Sequence, residues 1–245
     1  MALLLKNNAI FLHIPKTGGT FVTHVLEQLN LIKDRVGREH ADFARVFLHD
    51  RLHADDKVFR NLVRRRLGWL PKIDPKAFSF CFVREPLSWY VSYWRFMESI
   101  NWRQWGEPEN PYHWHPKTAL NGLGSPDFNE FMYKVNRKRP GFVSELYGWY
   151  NHSEIQFVGK QENLREDLMK VLSRLYPELD IRETLYRVPM FNESPSAIKM
   201  PEWDPEIRRE TLKLEYASYV RYGYPIPNVN TRPFDKIKGR KLEVV

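Results

Sequence analysis

Runs of apolar residues alternate along this chain with stretches that are apolar on one side only. Four short runs are bounded by turn-forming residues and predict buried strands, at residues 10–14, 44–48, 78–83 and 155–159. Such runs are typical of parallel strands that are covered on both faces. We therefore expect a parallel sheet in the middle of the fold.

Three of the four runs are followed by a segment with helical spacing of its apolar residues. "TFVTHVLEQL" begins at Thr20, "PLSWYVSYWRFM" begins at Pro86, and "ENLREDLMKVLSRL" begins at Glu162. Pro86 suits the first turn of a helix, and the apolar spacing of the other two gives one buried face each. Alternation of strands and helices predicts an α/β fold: a P-loop-like parallel β-sheet flanked by helices on both faces, in a single domain.

Two stretches depart from this alternation. Residues 98–127 are rich in proline, glycine and aromatics, including Trp102, Trp105, Tyr112 and Trp114. A loop of this length in a compact domain is usually functional, and we expect it to form a lid. Residues 225–245 carry three prolines followed by basic residues and predict an extended C-terminal tail.

The charge and the cysteine content of the chain bear on its ligand and its location. Lys and Arg number 38 against 30 Asp and Glu, a net charge of +8 over 245 residues, and that surplus suits an anionic ligand. Cys81 is the only cysteine, so no intrachain disulfide can form, which favours a reducing, cytoplasmic location. No apolar run approaches the ~20 residues of a membrane span.

The turn after the first predicted strand has the residues of an anion-binding loop. In "PKTGGT", Gly18 and Gly19 let successive N–H groups converge, Lys16 adds a positive charge, and Thr17 and Thr20 add hydroxyl donors. The dipole of the following helix favours an anion at the same place. The pattern G-x-x-x-x-G-K-[ST] of nucleotide triphosphatases is absent, so the loop is predicted to hold its anion without a metal.

Two motifs carry a resemblance to a known family. "FLHIPKTGGTF" resembles the 5′-phosphosulfate loop of sulfotransferases that use 3′-phosphoadenosine 5′-phosphosulfate (PAPS), especially the heparan-sulfate and chondroitin carbohydrate group. "FCFVREPLSWYVSYWRF" is similar to that family's 3′-phosphate segment, with Arg84 at a strand end and Ser92 eight residues later. The chain departs from the family's pattern at Ser88 and Trp89, where members often carry a basic residue.

The resemblance extends more loosely over most of the chain and implies one sulfotransferase domain over residues 1–245. It implies transfer of a sulfuryl group from PAPS, without a metal, to an acceptor hydroxyl on a carbohydrate or a small metabolite. The cofactor-binding residues implied are Pro15, Lys16, Thr17, Gly18, Gly19, Thr20, Phe21, Arg84 and Ser92.

The same resemblance suggests the catalytic groups. Lys16 is placed to stabilise the charge that develops on the bridging oxygen. The proton of the acceptor needs a base, for which His53 is favoured and His49 is second; His13, inside the first strand, is interpreted as structural.

Apart from the resemblance, the residues themselves are compatible with two other functions. A P-loop kinase would share the fold and would need ATP and Mg²⁺. A basic nucleic-acid-binding protein would use the positive surplus and the run Arg64–Arg66, and its binding would fall steeply with salt. The missing G-K-[ST] argues against the first, and the two spaced phosphate motifs are unexplained by the second.

Overall fold

A computed structural model describes residues 2–37, 40–43, 46, 73–74, 76–101, 119–190 and 198–227 of the chain. The strands are β1 (Ala2–Leu5), β2 (Ile10–Leu12), β3 (Ile32–Val36), β4 (Ser79–Val83) and β5 (Phe157–Lys160). The helices are α1 (Gly19–Gln28), α2 (Pro86–Ser99), α3 (Phe128–Lys138), α4 (Phe142–Tyr150), α5 (Leu164–Leu175), α6 (Arg182–Arg187), α7 (Pro205–Leu214) and α8 (Tyr216–Tyr222). A short 3₁₀ helix, Gln161–Asn163, joins β5 to α5.

The described sheet has five strands in the order β3-β1-β2-β4-β5. β2, β4 and β5 are parallel neighbours, whereas β1 is antiparallel to both β2 and β3. The prediction of a parallel sheet is therefore correct for one half and wrong for the other. Only Lys6–Ala9 join β1 to β2, and a connection this short permits an antiparallel pair but no crossover.

Three of the four predicted strands are confirmed as β2, β4 and β5. Within the fourth, residues 44–48, only Val46 is described, and it is helical, with its N–H donating to the carbonyl of Asp42 at 3.1 Å. A strand is therefore wrong at that residue, and the rest of the run lies outside the described residues. The three predicted helices are confirmed as α1, α2 and α5.

The core consists of two apolar layers, one on each face of the sheet. Alternate strand residues divide between them, because successive side chains of a strand point to opposite faces. Leu12, Cys81 and Val83 belong to the layer that is covered by α2, α3 and α4. Phe11, Phe80 and Phe82 belong to the layer that is covered by α1 and α5. Helices thus cover both faces, as the sequence predicts.

The two unusual stretches are mostly beyond what the structure describes. Residues 102–118 of the expected lid and 228–245 of the expected tail lie outside the described residues, so both remain predictions. Among the helices that are described, none is long and apolar enough to cross a membrane.

Candidate active site

The predicted anion loop follows β2 and leads directly into α1. Lys16 has a φ of 64° and Gly18 a φ of 85°, so the backbone turns twice through the left-handed region. The hydroxyl of the buried Thr17 donates to the carbonyl of Ile14 at 3.0 Å. Gly18 is the N-cap of α1, and within the described residues no side chain caps that helix end. The first-turn N–H groups therefore keep the partial positive charge that attracts anions.

Both glycines of the loop lie where a side chain would collide. A Cβ on Gly18 would overlap the side chain of Leu164, and one on Gly19 would overlap the ring of His13. His13 in turn packs edge-to-face against His40, with 4.6 Å between ring centroids. Nδ1 of the buried His40 lies 2.9 Å from the carbonyl oxygen of His13. His13 therefore packs against the loop, and its structural role remains a prediction.

Arg84 leaves the carboxyl end of β4 and is held by Tyr147 of α4. The N–H of Arg84 donates to the Tyr147 hydroxyl at 3.0 Å, and that hydroxyl donates to the Arg84 carbonyl at 2.6 Å. Burial holds the pKa of Tyr147 well above its ordinary value, so the hydroxyl keeps the proton that it donates. Tyr147 thereby fixes the backbone from which the guanidinium projects.

One donor of the Arg84 guanidinium is unsatisfied within the part of the chain that the structure describes. Its Nε is buried and has no hydrogen-bond partner among the described residues. Burial lowers the pKa of Arg84, with Tyr147, Glu162 and Glu85 opposing the shift. A buried N–H without a partner is uncommon in folded proteins, and an anionic group beside it would satisfy the donor and favour the charged form.

Two carboxylates anchor the segment that begins at Arg84. Glu85 caps α2 by accepting from the N–H of Ser88 at 2.6 Å, and it also accepts from the hydroxyl of Tyr219. Glu162 accepts from the N–H of Glu85 at 2.7 Å and from the hydroxyl of Tyr224 at 3.1 Å. Burial raises the pKa of Glu85, and the hydrogen bonds from Ser88 oppose that shift. Through Tyr219 and Tyr224, these hydrogen bonds hold α8 and the residues that follow it against the carboxyl end of β4.

Helix α2 connects the two predicted motifs. The indole Nε1 of the buried Trp89 donates to the carbonyl of Pro15 at 2.9 Å. Seven residues later along the helix, the ring of Phe96 lies under the ammonium of Lys16, 4.0 Å from Nζ to the centroid. Ser92 falls between these residues on the same helix face, because residues three and four apart are neighbours. Ser92 therefore shares the face of α2 that contacts the loop.

The strand pairing places Arg84 at the same edge. β2 and β4 are adjacent and parallel, so the loop after β2 and Arg84 after β4 both leave the carboxyl edge of the sheet, where ligands bind in open α/β folds. Phe21, like Thr17, is buried. The Phe21 side chain lies in the core with the guanidinium of Arg165 over it, so any part that Phe21 takes in binding falls to its backbone. Thr20 is half-buried in the first turn of α1.

Sequence reasoning missed Trp89, Phe96, Tyr147 and Glu162. Trp89 and Phe96 lie inside the predicted 3′-phosphate segment and Glu162 begins a predicted helical segment, so the sequence marked these three positions but not their contacts. The contacts of all four residues join elements that are distant in the chain. His49 and His53, the predicted bases, lie outside the described residues.

A cavity of about 260 Å³ lies near the carboxyl ends of β4 and β5. It is lined by Val83, Asn151, Val158, Lys160, Arg221 and Tyr222. Its two charged residues are cationic, and Val83 immediately precedes Arg84. In the part of the chain that the structure describes, no group of three or more His, Cys, Asp or Glu residues is placed to hold a metal ion.

Comparison with known proteins gives the family of the chain. The model of a family described as the sulfotransferase family matches residues 5–225. Comparisons with curated proteins and with solved structures give no significant match. The matched range includes the glycine loop, Arg84, Ser92 and all eight described helices. The chain belongs to the sulfotransferase family and is a transferase of the sulfotransferase class.

Proposed function

We propose that this enzyme transfers a sulfuryl group from PAPS to an acceptor hydroxyl. The observation that carries the proposal is the pair of contacts by which α2 joins the two anion motifs, from Trp89 to the Pro15 carbonyl and from Phe96 to Lys16. A donor with phosphate groups at both ends of an adenosine needs two anion-binding segments at one edge of the sheet.

The described residues fit such a donor. No described side chain caps the start of α1, so its first-turn N–H groups can bind an anion, and the buried Nε of Arg84 lacks an acceptor among the described residues. In this proposal Pro15–Thr20 and the backbone of Phe21 hold the 5′-phosphosulfate end. Arg84 and Ser92 hold the 3′-phosphate.

When bound, PAPS supplies the sulfuryl group, leaving 3′-phosphoadenosine 5′-phosphate (PAP). The S–O bond to the bridging oxygen breaks as a bond from sulfur to the acceptor oxygen forms. Lys16 and the N–H groups at the start of α1 stabilise the charge that gathers on the bridging oxygen, and they do so more strongly in the transition state than in the ground state. This chemistry requires no metal.

The acceptor's proton passes to a base within hydrogen-bond reach. His53 is the first candidate and His49 the second. We propose a carbohydrate or a small metabolite as acceptor, because Trp102, Trp105, Tyr112 and Trp114 of the expected lid could stack on a sugar ring. The cytoplasmic location that the lone Cys81 favours belongs to the same proposal.

Ligand binding tests the donor. In a thermal-shift experiment without metal, PAP should raise the melting temperature of the full chain, because a ligand that binds only the folded state stabilises it. ATP with Mg²⁺ would give the larger shift if the chain were a kinase, and an oligonucleotide would do so if it bound nucleic acid. Either of those results contradicts the proposal.

Lys16→Ala tests the chemistry. Loss of a donor of this kind typically lowers the rate about 10²–10³-fold, so the variant should lose activity by about that factor in single-turnover assays with labelled PAPS and a panel of acceptors. Lys213→Ala removes the same charge from an exposed position of α7 and should leave the rate unchanged. Wild-type turnover by Lys16→Ala would show that Lys16 does not have this role.

A further inference from the structure

One face of α2 contacts the anion loop at two places, and the second contact involves the side chain of Lys16 itself. Trp89 holds the loop's backbone at Pro15, while the half-buried Phe96 lies under the Lys16 ammonium. The backbone of Lys16 is in the left-handed region, with a φ of 64°, a conformation that residues other than glycine seldom adopt. The loop therefore fixes the backbone of Lys16, and the Phe96 ring lies beside the ammonium at the end of its side chain.

We propose that Phe96 is a positioning residue, whose ring holds the Lys16 ammonium in place before the sulfuryl donor binds. The inference depends on the proposed function, because it assigns Phe96 a role through Lys16. Phe96 itself is given no contact with the donor.

An aromatic ring suits this task better than a carboxylate. The face of the ring attracts a cation through its quadrupole, yet it carries no net charge and does not neutralise the ammonium. A carboxylate in the same place would compete with the anionic ligand for the lysine. The ring itself takes none of that positive charge.

Holding the lysine in advance also favours binding. A lysine side chain has a long flexible stem, and ordering it costs conformational entropy. If the ring already limits the ammonium to one region, less of that cost is incurred when the anion arrives. Loss of the ring should therefore weaken binding at the 5′ end of the donor and lower the rate.

The test compares Phe96→Leu with Phe96→Tyr, which keeps an aromatic face. Isothermal calorimetry with PAP gives the affinity, and initial rates over a range of PAPS concentrations give kcat and KM. We expect Phe96→Leu to weaken PAP binding about threefold to tenfold, the range of a partly buried cation–π contact, and to lower kcat. Phe96→Tyr should keep the wild-type PAP affinity and kcat.

A matched control loses the same kind of contact elsewhere. Phe78 is also half-buried and has the guanidinium of Arg174 over its ring, 5.0 Å from Cζ to the centroid. It precedes β4, at the end of that strand opposite Arg84. Phe78→Leu should leave the affinity for PAP unchanged.

A double-mutant cycle separates positioning from a structural role. In a Lys16→Met background, Phe96→Leu should produce no further loss of PAP affinity. An equal loss in both backgrounds, or wild-type affinity and kcat in Phe96→Leu, overturns the inference while leaving the proposed function intact. Failure of the wild-type chain to bind PAP overturns the proposed function and this inference together.

Discussion

Gly18 is the residue on which the path of the anion loop depends most directly. Its φ of 85° favours glycine, and Leu164 of α5 occupies the space that a Cβ would need. The requirement is thus both local, in the backbone, and tertiary, in the contact with another helix.

We expect Gly18→Ala to lower the free energy of unfolding by about 2 kcal/mol, because alanine is strained at positive φ and would displace Leu164. Gly148→Ala is the control. Gly148 is exposed inside α4, with open space where a Cβ would lie, and alanine there should add up to about 1 kcal/mol. Urea denaturation measures both changes. Equal stability of Gly18→Ala and the wild-type chain would refute the steric account.

Cys81 is a buried thiol in β4 with no exposed surface. Burial raises its pKa to about 12, above the value of about 8.5 that an unfolded thiol has. Since the folded pKa is raised, the stabilising contribution of this thiol is full below about pH 8.5 and is lost as the pH rises towards 12.

The same burial predicts the reactivity of Cys81. At pH 8 the folded chain should not react with a disulfide reagent such as dithionitrobenzoate, because the thiolate is the reactive form. In urea one thiol per chain should react, in keeping with the single cysteine. Rapid stoichiometric labelling without denaturant would contradict the buried position.

Among the secondary-structure elements, α2 has the closest relation to the site. Its first turn is capped by Glu85 and contains Pro86, so the helix begins immediately after Arg84. One turn later Trp89 reaches the loop. Because α2 starts at one anion-binding segment and contacts the other, the stretch from Arg84 to Phe96 sets the distance between the two segments.

Trp89→Phe removes the hydrogen bond to the Pro15 carbonyl but keeps a ring in the core. We expect a loss of about 1–3 kcal/mol in stability, since the carbonyl loses its donor, together with weaker PAP binding. Trp94→Phe removes a comparable buried bond, from Trp94 Nε1 to the Ser125 carbonyl at 2.8 Å, at a place away from the loop. Calorimetry with PAP should separate the two variants, and equal affinities would show that the Trp89 contact does not affect the site.

The elements were predictable where the pattern was continuous and apolar. β2, β4 and β5 are buried runs, and α1, α2 and α5 have helical periodicity. β3 was missed because three consecutive charged residues, Lys33–Arg35, leave it without an apolar run. β1 was missed because four residues, Ala2–Leu5, give too short a pattern. The antiparallel pairing of β1 with β2 was missed for the same reason, because it follows from the short Lys6–Ala9 connection after β1.

At the scale of the whole molecule, Glu215 joins α2 and α4 to the junction between α7 and α8. Its carboxylate has no exposed surface and accepts from the hydroxyl of Tyr90 in α2 at 2.6 Å. It also accepts from the N–H groups of Val143 and Ser144 at 2.9 and 2.8 Å. These N–H groups belong to the first turn of α4, whose N-cap, Gly141, has no side chain to cap them. A residue between α7 and α8 thus supplies the cap.

Glu215→Ala should lower the free energy of unfolding by about 3 kcal/mol or more, because it leaves several buried donors without an acceptor. Glu215→Gln keeps one acceptor oxygen and should cost less. Glu183→Ala removes an exposed carboxylate that pairs with Arg187 at 3.8 Å and should change stability by no more than about 0.5 kcal/mol. Urea unfolding that ranks Glu183→Ala beside Glu215→Ala would disprove this role.

The site could be predicted from the sequence only in part. Lys16, Arg84 and Ser92 belong to short motifs whose spacing along the chain carries the information. Tyr147 and Phe96 could not be predicted, since their contacts join segments that are 63 and 80 residues apart in the numbering. Such contacts follow from the packing of whole helices against the sheet.

The strand β3 closes one side of the described sheet. Lys33 is bonded to Asn8, and Arg35 forms an ion pair with Glu27. An exposed apolar strand at the edge of a sheet can pair with a strand of a neighbouring molecule. Here an incoming copy would have to lay its chain along two cations already engaged with their own molecule, so this border discourages β-mediated aggregation.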